Sequence, residues 1–239
     1  MTTSLRAGAV AVLATAVGLA LAGCNSGSSG DGASEEATTS SAAATSSETP
    51  TESGTPAPTT SAQAAGPAYT IADYIRDNNI QETPVKPGDP GSPKVEFPAI
   101  DGWADAGPKT PEGAYRTLVF TDPAMAQDPP TINTVMNKLS PNADPAKILE
   151  FAPGAIKNLP GYEDMGAGKA SQLSGFEAFQ VGGGYTRDGV KHMVAEKTVV
   201  IPVTGALYVL QLRADGTEDQ IGPLLDATST IDDQTVITP

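Results

Sequence analysis

The chain has 239 residues, with 14 Lys and Arg against 28 Asp and Glu, which gives a formal net charge of −14 at pH 7. This balance argues against binding to nucleic acid and against electrostatic attachment to anionic lipid, because both need concentrated Lys and Arg. The single cysteine, Cys24, excludes an intrachain disulfide.

Residues 1–23 have the anatomy of a secretory signal peptide: one basic residue, Arg6, an apolar run of 16 residues, and small residues before Cys24. The run is short for a bilayer span. Residues 21–24 read Leu-Ala-Gly-Cys and resemble the bacterial lipobox. We therefore expect cleavage after Gly23 and conversion of Cys24 to an N-palmitoyl, S-diacylglycerol cysteine at the extracytoplasmic face of the cell membrane. The alternative is an incidental cysteine beside an uncleaved anchor.

Residues 24–68 are predicted to be a lipid-anchored, disordered tether. After Cys24 they are rich in Ser, Thr, Ala, Gly and Pro and lack aromatic residues, Val, Ile, Leu and Met, so they cannot form a core. A flexible chain of this length spans roughly 35 to 40 Å. A plain spacer is the favoured interpretation, with an O-glycosylated stalk as the alternative.

Residues 69–239 contain every aromatic residue and are predicted to form one domain. A short helix is expected over 71–78, with Thr70 as its N-cap. Four prolines and two glycines in 81–94 predict a surface loop or an extended arm. A strand is predicted over 114–121, which is rich in β-branched and aromatic residues. The segment 128–140 fits either a strand or a helix, and we favour a strand.

The next segment begins with the clearest helix start in the chain, Asp144 as N-cap followed by Pro145. Pro153 should kink or restart this helix, which is expected to reach about Asn158. Gly161 follows as the stop.

Three antiparallel strands are predicted next, over 175–185, 190–201 and 206–213, with a hairpin turn at Asp188 and Gly189. Thr217 and Gln220 then form a capping box before the last helix. That helix carries one apolar face, which consists of Ile221, Leu224, Leu225 and Thr228. Together these elements predict an α+β domain, an antiparallel sheet with helices around it.

His192, the one histidine, lies within a predicted strand. No nucleophile motif accompanies it, so we expect an exposed strand residue and no catalysis. One histidine cannot build a transition-metal site. The acidic stretch 213–220 lacks the ligand spacing of a calcium loop and is better explained as a helix cap. We therefore expect no metal and no cofactor.

Three other features have structural explanations. The glycines at 182–184 predict a bulge or the close approach of another backbone or ligand. Trp103 is assigned to the core, with pocket lining as the alternative. Asp232 and Asp233 would point to opposite faces of a strand and make a poor acid–base pair.

Several long strings resemble the LpqN/LpqT family of actinobacterial envelope lipoproteins, over nearly all of residues 61–239. They include YTIADYIRDNNIQETPVKPGDPGSP, DPAKILEFAPGAIKNLPGYE and LYVLQLRADGTEDQ. The resemblance implies a Mog1/PsbP-like fold, an α/β/α sandwich with helices on both sides of an antiparallel sheet. It also implies a non-enzymatic protein of the mycobacterial envelope that binds acylated trehalose glycolipid and contacts MmpL-type lipid exporters. No ligand-binding residue carries over.

The leading hypothesis is a lipid-anchored, non-catalytic protein that binds an acylated glycolipid in an apolar groove and assists envelope lipid transport. The alternative is a protein-interaction adaptor for exporters or host factors, acting through 81–94 or a sheet edge, and a hydrolase is third. An enclosed apolar cavity of acyl-chain width would favour the first hypothesis, and a solid core the second.

Overall fold

The computed structural model describes residues 66–239. The predicted signal peptide, Cys24 and residues 25–65 lie outside the described residues. The helices are α1 (Ile71–Asp77), α2 (Pro145–Phe151), α3 (Gly154–Lys157) and α4 (Ile221–Gln234). The strands are β1 (Gln81–Pro84), β2 (Lys94–Glu96), β3 (Trp103–Asp105), β4 (Arg116–Phe120), β5 (Thr131–Ser140), β6 (Glu163–Asp164), β7 (Lys169–Leu173), β8 (Phe176–Arg187), β9 (Val190–Val203), β10 (Ala206–Thr217) and β11 (Val236–Thr238).

Nine of these strands form one antiparallel sheet in the order β3-β4-β5-β10-β9-β8-β6, with β1 also paired to β5 and β7 to β8. Strands β2 and β11 form a separate two-stranded ribbon. The connections between β8, β9 and β10 are tight turns, which permit only antiparallel pairing. At the first of them Asp188 and Gly189 have φ values of 52° and 80°, the positive φ values that a two-residue hairpin turn requires.

Helices cover both faces of the sheet, which confirms the predicted α+β class. Successive residues of β9 show the alternation: Val199 and Ile201 pack in the cluster that includes α4, whereas Val200 packs against α1 and α2. The smaller α3 extends the second layer through Ile156, which contacts β8 and β9. Within residues 66–239 no helix combines the length and the apolarity needed to cross a bilayer.

The helix ends follow the predicted capping chemistry. The Thr70 hydroxyl accepts a hydrogen bond from the Asp73 amide, and the Asp73 carboxylate accepts one from the Thr70 amide. Asp144 caps α2, and the chain restarts as α3 after Pro153, as the sequence predicted. The capping box of Thr217 and Gln220 forms on a 3₁₀ turn that directly precedes α4.

One prediction is right only in part, and another is wrong. Residues 81–94 are not simply a loop or arm: their first four residues form β1 against β5, Val85 is buried, and the Tyr208 hydroxyl donates to the Gly91 carbonyl. Asp232 and Asp233 lie on α4 and not on a strand. Both errors arise because long-range pairing and a helix extending beyond its apolar stripe leave no local signal.

Candidate functional site

An open apolar groove runs along α4, on the face of the sheet that this helix covers. Its volume is about 350 Å³. One wall consists of the four residues of the apolar helix face noted in the sequence: Ile221, Leu224, Leu225 and Thr228. Only Leu224 of these is buried, and the core contacts of α4 also come from Ala227 and Ile231. The predicted apolar face therefore mostly lines the groove.

The floor of the groove consists of residues with small side chains, and for this reason the groove is deep. Gly182, Ala195 and Ala214 lie side by side on β8, β9 and β10 in the sheet register. They present the smallest side chains at the positions where larger ones would fill the space under α4. Ala195 remains exposed to the groove, whereas Ala214 is buried.

The opposite wall is the turn between β6 and β7, from Met165 to Lys169. Gly166 and Gly168 in this turn have φ values of 140° and 69°, which favour glycine. A Cβ on Gly168 would lie 2.8 Å from the Phe179 ring, so the turn packs closely on β8. This packing fixes the turn that carries the exposed side chain of Met165.

The groove continues at both ends of α4. Toward the C-terminal end a cavity of about 120 Å³ shares Ala195, Leu225 and Thr228 with it. There the ammonium of Lys197, on β9, lies 2.6 Å from the Asp232 carboxylate. Toward the N-terminal end a chamber of about 450 Å³ shares Met165, Met193 and Ile221.

This N-terminal chamber has charged side chains at its wall, although most of its lining surface is apolar. Glu163, Asp164 and Glu218 line it, together with Lys191, whose ammonium lies 3.1 Å from a Glu163 carboxylate oxygen. These carboxylates accept hydrogen bonds and stay in contact with solvent. A chamber with charged side chains at its wall thus adjoins the apolar groove.

His192 lies next to this chamber, and the prediction that it is exposed is wrong. Its side chain is 2% exposed, with Nδ1 3.2 Å from an Asp215 oxygen and Nε2 3.8 Å from an Asp128 oxygen. Asp128 comes from the loop before β5, which the sequence could not place near β9. The neighbours of the imidazole are thus two carboxylates and the Tyr185 ring, which lies 5.5 Å away.

Asp215 is the centre of this partly buried cluster. It accepts a hydrogen bond from the Tyr185 hydroxyl at 2.5 Å and another from Arg187 at 3.0 Å. Burial and, second, the bond to Asp215 raise the pKa of Tyr185 to about 12. Arg187 also reaches Asp128, so the cluster ties β8, β9 and β10 to the loop before β5. The arrangement is a set of matched donors and acceptors that holds the sheet together.

A second buried charge lies on the sheet face that α1 to α3 cover. Glu196 accepts hydrogen bonds from Arg213 at 3.0 Å and from Gln211 at 3.2 Å. Burial raises the pKa of the Glu196 carboxyl, although Arg213 acts in the opposite direction. Every described polar atom of this side chain is paired, so the pair is structural.

Trp103 is half buried, packs against the core and the Phe120 ring, and also lines a second, more polar cavity on the other side of α4. A Cβ on Gly183 would lie 2.5 Å from both the Tyr162 ring and the Glu163 carbonyl oxygen, which confirms the predicted close approach. Within the described part of the chain no cluster of His, Asp and Glu could hold a metal ion.

The sequence profile of a family described as "Probable lipoprotein LpqN" matches residues 67–238. Lipoprotein LpqN of Mycobacterium tuberculosis strain H37Rv is 54% identical over 177 residues, which cover 74% of this chain and 77% of that protein. The chain belongs to the LpqN lipoprotein family. Membership places it among the envelope lipoproteins of mycobacteria, in a family that is not an enzyme family.

A solved LpqN structure agrees with this assignment. The crystal structure of LpqN, described as involved in cell envelope biogenesis of Mycobacterium tuberculosis, covers 73% of this chain and 100% of its own, with 53% identity and a TM-score of 0.68. The LpqN fold expected from the sequence resemblance is therefore confirmed.

Proposed function

We propose that this LpqN-family protein is a non-catalytic carrier that holds the acyl chain of an envelope glycolipid in the groove beside α4. The observation that supports it is the apolar groove itself, about 350 Å³ in volume and bordered by a chamber that three carboxylates line. The cargo is of the trehalose mycolate type that the family resemblance implies. Its sugar would occupy that chamber, where the carboxylates of Glu163, Asp164 and Glu218 would accept hydrogen bonds from its hydroxyl groups.

The dimensions of the groove suit one acyl chain. Helix α4 rises about 16 Å between Ile221 and Asp232, the two ends of the continuous groove. Each methylene removed from water gains about 0.8 kcal/mol, so about ten methylenes contribute about 8 kcal/mol before the entropy of binding is subtracted. That sum corresponds to a dissociation constant near the micromolar range or weaker, which permits both uptake and release.

The site of action in this proposal follows from the leader. Cleavage after Gly23 and acylation of Cys24 would hold the protein on the extracytoplasmic face of the cell membrane. The carrier would then receive cargo near that membrane and pass it toward the outer envelope, with MmpL-type exporters as its partners. Two or more acyl chains on Cys24 give stable attachment, whereas a single chain binds only marginally.

The experiment compares two alanine-to-phenylalanine variants. Ala195 faces the groove and is exposed to it, so Ala195→Phe would fill the floor without displacing core atoms. We expect it to weaken binding of a fluorescent polyene fatty acid, and of an acylated trehalose, by at least about tenfold, the equivalent of two lost methylenes. Ala170→Phe is the control, because Ala170 is an exposed alanine of β7 outside the groove.

Equal binding by the two variants, or no binding of either ligand by the unmodified protein, would overturn the proposal. Free trehalose, which has no acyl chain, should bind far more weakly than its acyl ester.

A further inference from the structure

The rim of the α4 groove carries an exposed apolar surface. Six large apolar side chains are exposed in residues 66–239, and three of them stand at this groove: Met165 at 65%, Leu225 at 60% and Ile221 at 38%. Ile221 and Leu225 are four residues apart, on one side of α4. Met165 stands on the turn across the groove. Apolar side chains thus flank the opening on both sides.

We propose that this rim is a docking surface for a lipid bilayer with uncharged headgroups, from which the acyl chain enters the groove directly. The inference rests on the proposed function, because it names the surface that delivers the chain. Leu, Ile and Met at the rim would enter the boundary between headgroups and acyl chains, about 5 to 10 Å deep. The groove opening would then face the hydrocarbon, so the chain would pass into the protein without crossing water.

The chemistry of the rim favours lipid over a protein partner. Protein interfaces concentrate their energy in Tyr, Trp and Arg, and none of these lines the groove. The polar side chains that line it are Lys169, Gln180 and Thr228, and the Thr228 hydroxyl already donates to the Leu224 carbonyl within α4. Few groups are left to pair with a peptide backbone.

The charges around the rim favour a bilayer with uncharged headgroups over an anionic one. Around the rim lie the carboxylates of Glu163, Asp164 and Glu218 and the ammonium groups of Lys169 and Lys191. Lys191 is already paired with Glu163, and the whole chain has a net charge of −14. An anionic lipid surface would therefore repel this region, whereas a surface of uncharged headgroups would not.

The chain preceding the domain is long enough to allow this contact. Ala68 is held at the end of α3, in the helix layer on the opposite face of the sheet from α4. The segment 25–65 between Cys24 and the described residues has 41 residues and spans roughly 35 Å as a flexible chain. A domain of this size has a radius of gyration of about 16 Å, so the chain can pass around it. A membrane that holds Cys24 lies within reach of the rim.

The test uses the lipidated full chain in phosphatidylcholine vesicles with a fluorescent label at a single introduced cysteine. The predicted thioether occupies Cys24, so Met165→Cys or Leu225→Cys supplies the one free thiol. Val190→Cys and Val236→Cys are the controls, because both valines are 49% exposed and lie outside the groove. A doxyl-labelled lipid should quench the two rim labels at least about twofold more than the two controls, since only the rim enters the boundary region.

Equal quenching at all four positions would overturn the inference. Replacing about a third of the lipid by phosphatidylglycerol should reduce quenching at the rim; an increase would overturn the assignment to uncharged headgroups. Fatty acid binding by the unmodified protein, lost in Ala195→Phe, tests the groove separately. If that binding occurs while all four labels are quenched equally, the carrier function stands and only the bilayer contact is wrong.

Discussion

Asn158 binds the backbone of Ala68 with both ends of its side-chain amide. The amide of Ala68 donates to Oδ1 at 2.8 Å, and Nδ2 donates to the Ala68 carbonyl at 2.8 Å. The following residue, Tyr69, packs its ring 4.7 Å from the Phe151 ring. A Cβ on Gly154 would lie 2.2 Å from the Tyr69 carbonyl oxygen, so this close passage needs a glycine. The start of the described chain is therefore bound firmly to the helix layer.

Asn158→Ala removes both of these hydrogen bonds. We expect the free energy of unfolding to fall by about 1 to 2 kcal/mol, because each bond contributes about 0.5 to 1.5 kcal/mol. Amide hydrogen exchange should accelerate at residues 68–70. Asn158→Asp keeps an acceptor for the Ala68 amide but loses the donor, and should give an intermediate loss. Unchanged exchange in the alanine variant would mean that Tyr69 alone holds this segment.

Asp215→Asn should destabilise the protein by about 2 to 3 kcal/mol, as measured by urea denaturation. The variant loses the charged acceptor of Tyr185 and Arg187 in a nearly buried cluster. Asp188→Asn, at the exposed hairpin turn where asparagine tolerates positive φ, should change stability by less than about 0.5 kcal/mol. Equal effects of the two changes would contradict a role of the cluster in holding the strands together.

Tyr185 should make the protein sensitive to high pH. Its folded pKa is raised from 10.0 to about 12, so between these two values the folded state binds more protons than the unfolded state. Its contribution to stability is thus complete below pH 10 and is lost as the pH rises toward 12. Tyr185→Phe should flatten this part of the curve of unfolding free energy against pH. An unchanged slope of this curve in the Tyr185→Phe variant would contradict the prediction.

Gly183→Ala and Gly184→Ala form a matched pair on β8. At Gly183 the new Cβ would meet the Tyr162 ring and the Glu163 carbonyl oxygen at 2.5 Å, whereas at Gly184 the nearest atom lies at 3.8 Å. We expect a loss of about 2 kcal/mol or more at position 183, because β6 must shift, and a change within about 0.5 kcal/mol at position 184. Thermal unfolding of the two variants measures both losses. A larger loss of stability at position 184 than at position 183 would show that the register of β6 is wrong.

Cys24→Ser should release the protein from the membrane. The hydroxyl of serine does not take the place of the thiol in the thioether, so no diacylglycerol would be attached. Membrane fractionation should move the variant to the soluble fraction, while Ser28→Ala, a tether substitution, stays membrane-bound. Mass spectrometry of the unmodified protein should find an acylated N-terminal Cys24. A serine variant that remains in the membrane fraction would contradict the predicted anchor.

Local signals predicted much of the fold because they act within a few residues. The caps at Thr70 and Asp144, the restart after Pro153 and the hairpin at Asp188 and Gly189 all appeared as expected. Strands β8, β9 and β10 were located with only their ends extended. Strands β1, β6 and β11 were missed, because they have two to four residues and exist through partners distant in sequence. Strand β7 was also missed, although it pairs with β8 across the two-residue turn of Ser174 and Gly175.

The candidate site was recognised only in part, for a related reason. The stripe of Ile221, Leu224, Leu225 and Thr228 was visible, since a helix places residues three and four apart on one face. Whether such a stripe is buried depends on what lies opposite it. The row of Gly182, Ala195 and Ala214 comes from three strands and leaves the space open. Small residues at paired positions of neighbouring strands indicate such a space. The sequence shows them only when the pairing register of the strands is known.

The amino-acid sequence by itself was enough to identify the features that residues close along the chain create, namely the leader motif at Cys24, the helix ends and the tight turns. It also gave the acidic charge and the family. The tertiary structure decided what depends on residues distant along the chain. It buried His192 between Asp215 and Asp128, and it turned an amphipathic helix face into the wall of a groove. The physical reason is that burial and cavities are set by packing between elements, and side-chain periodicity shows only which residues share a face.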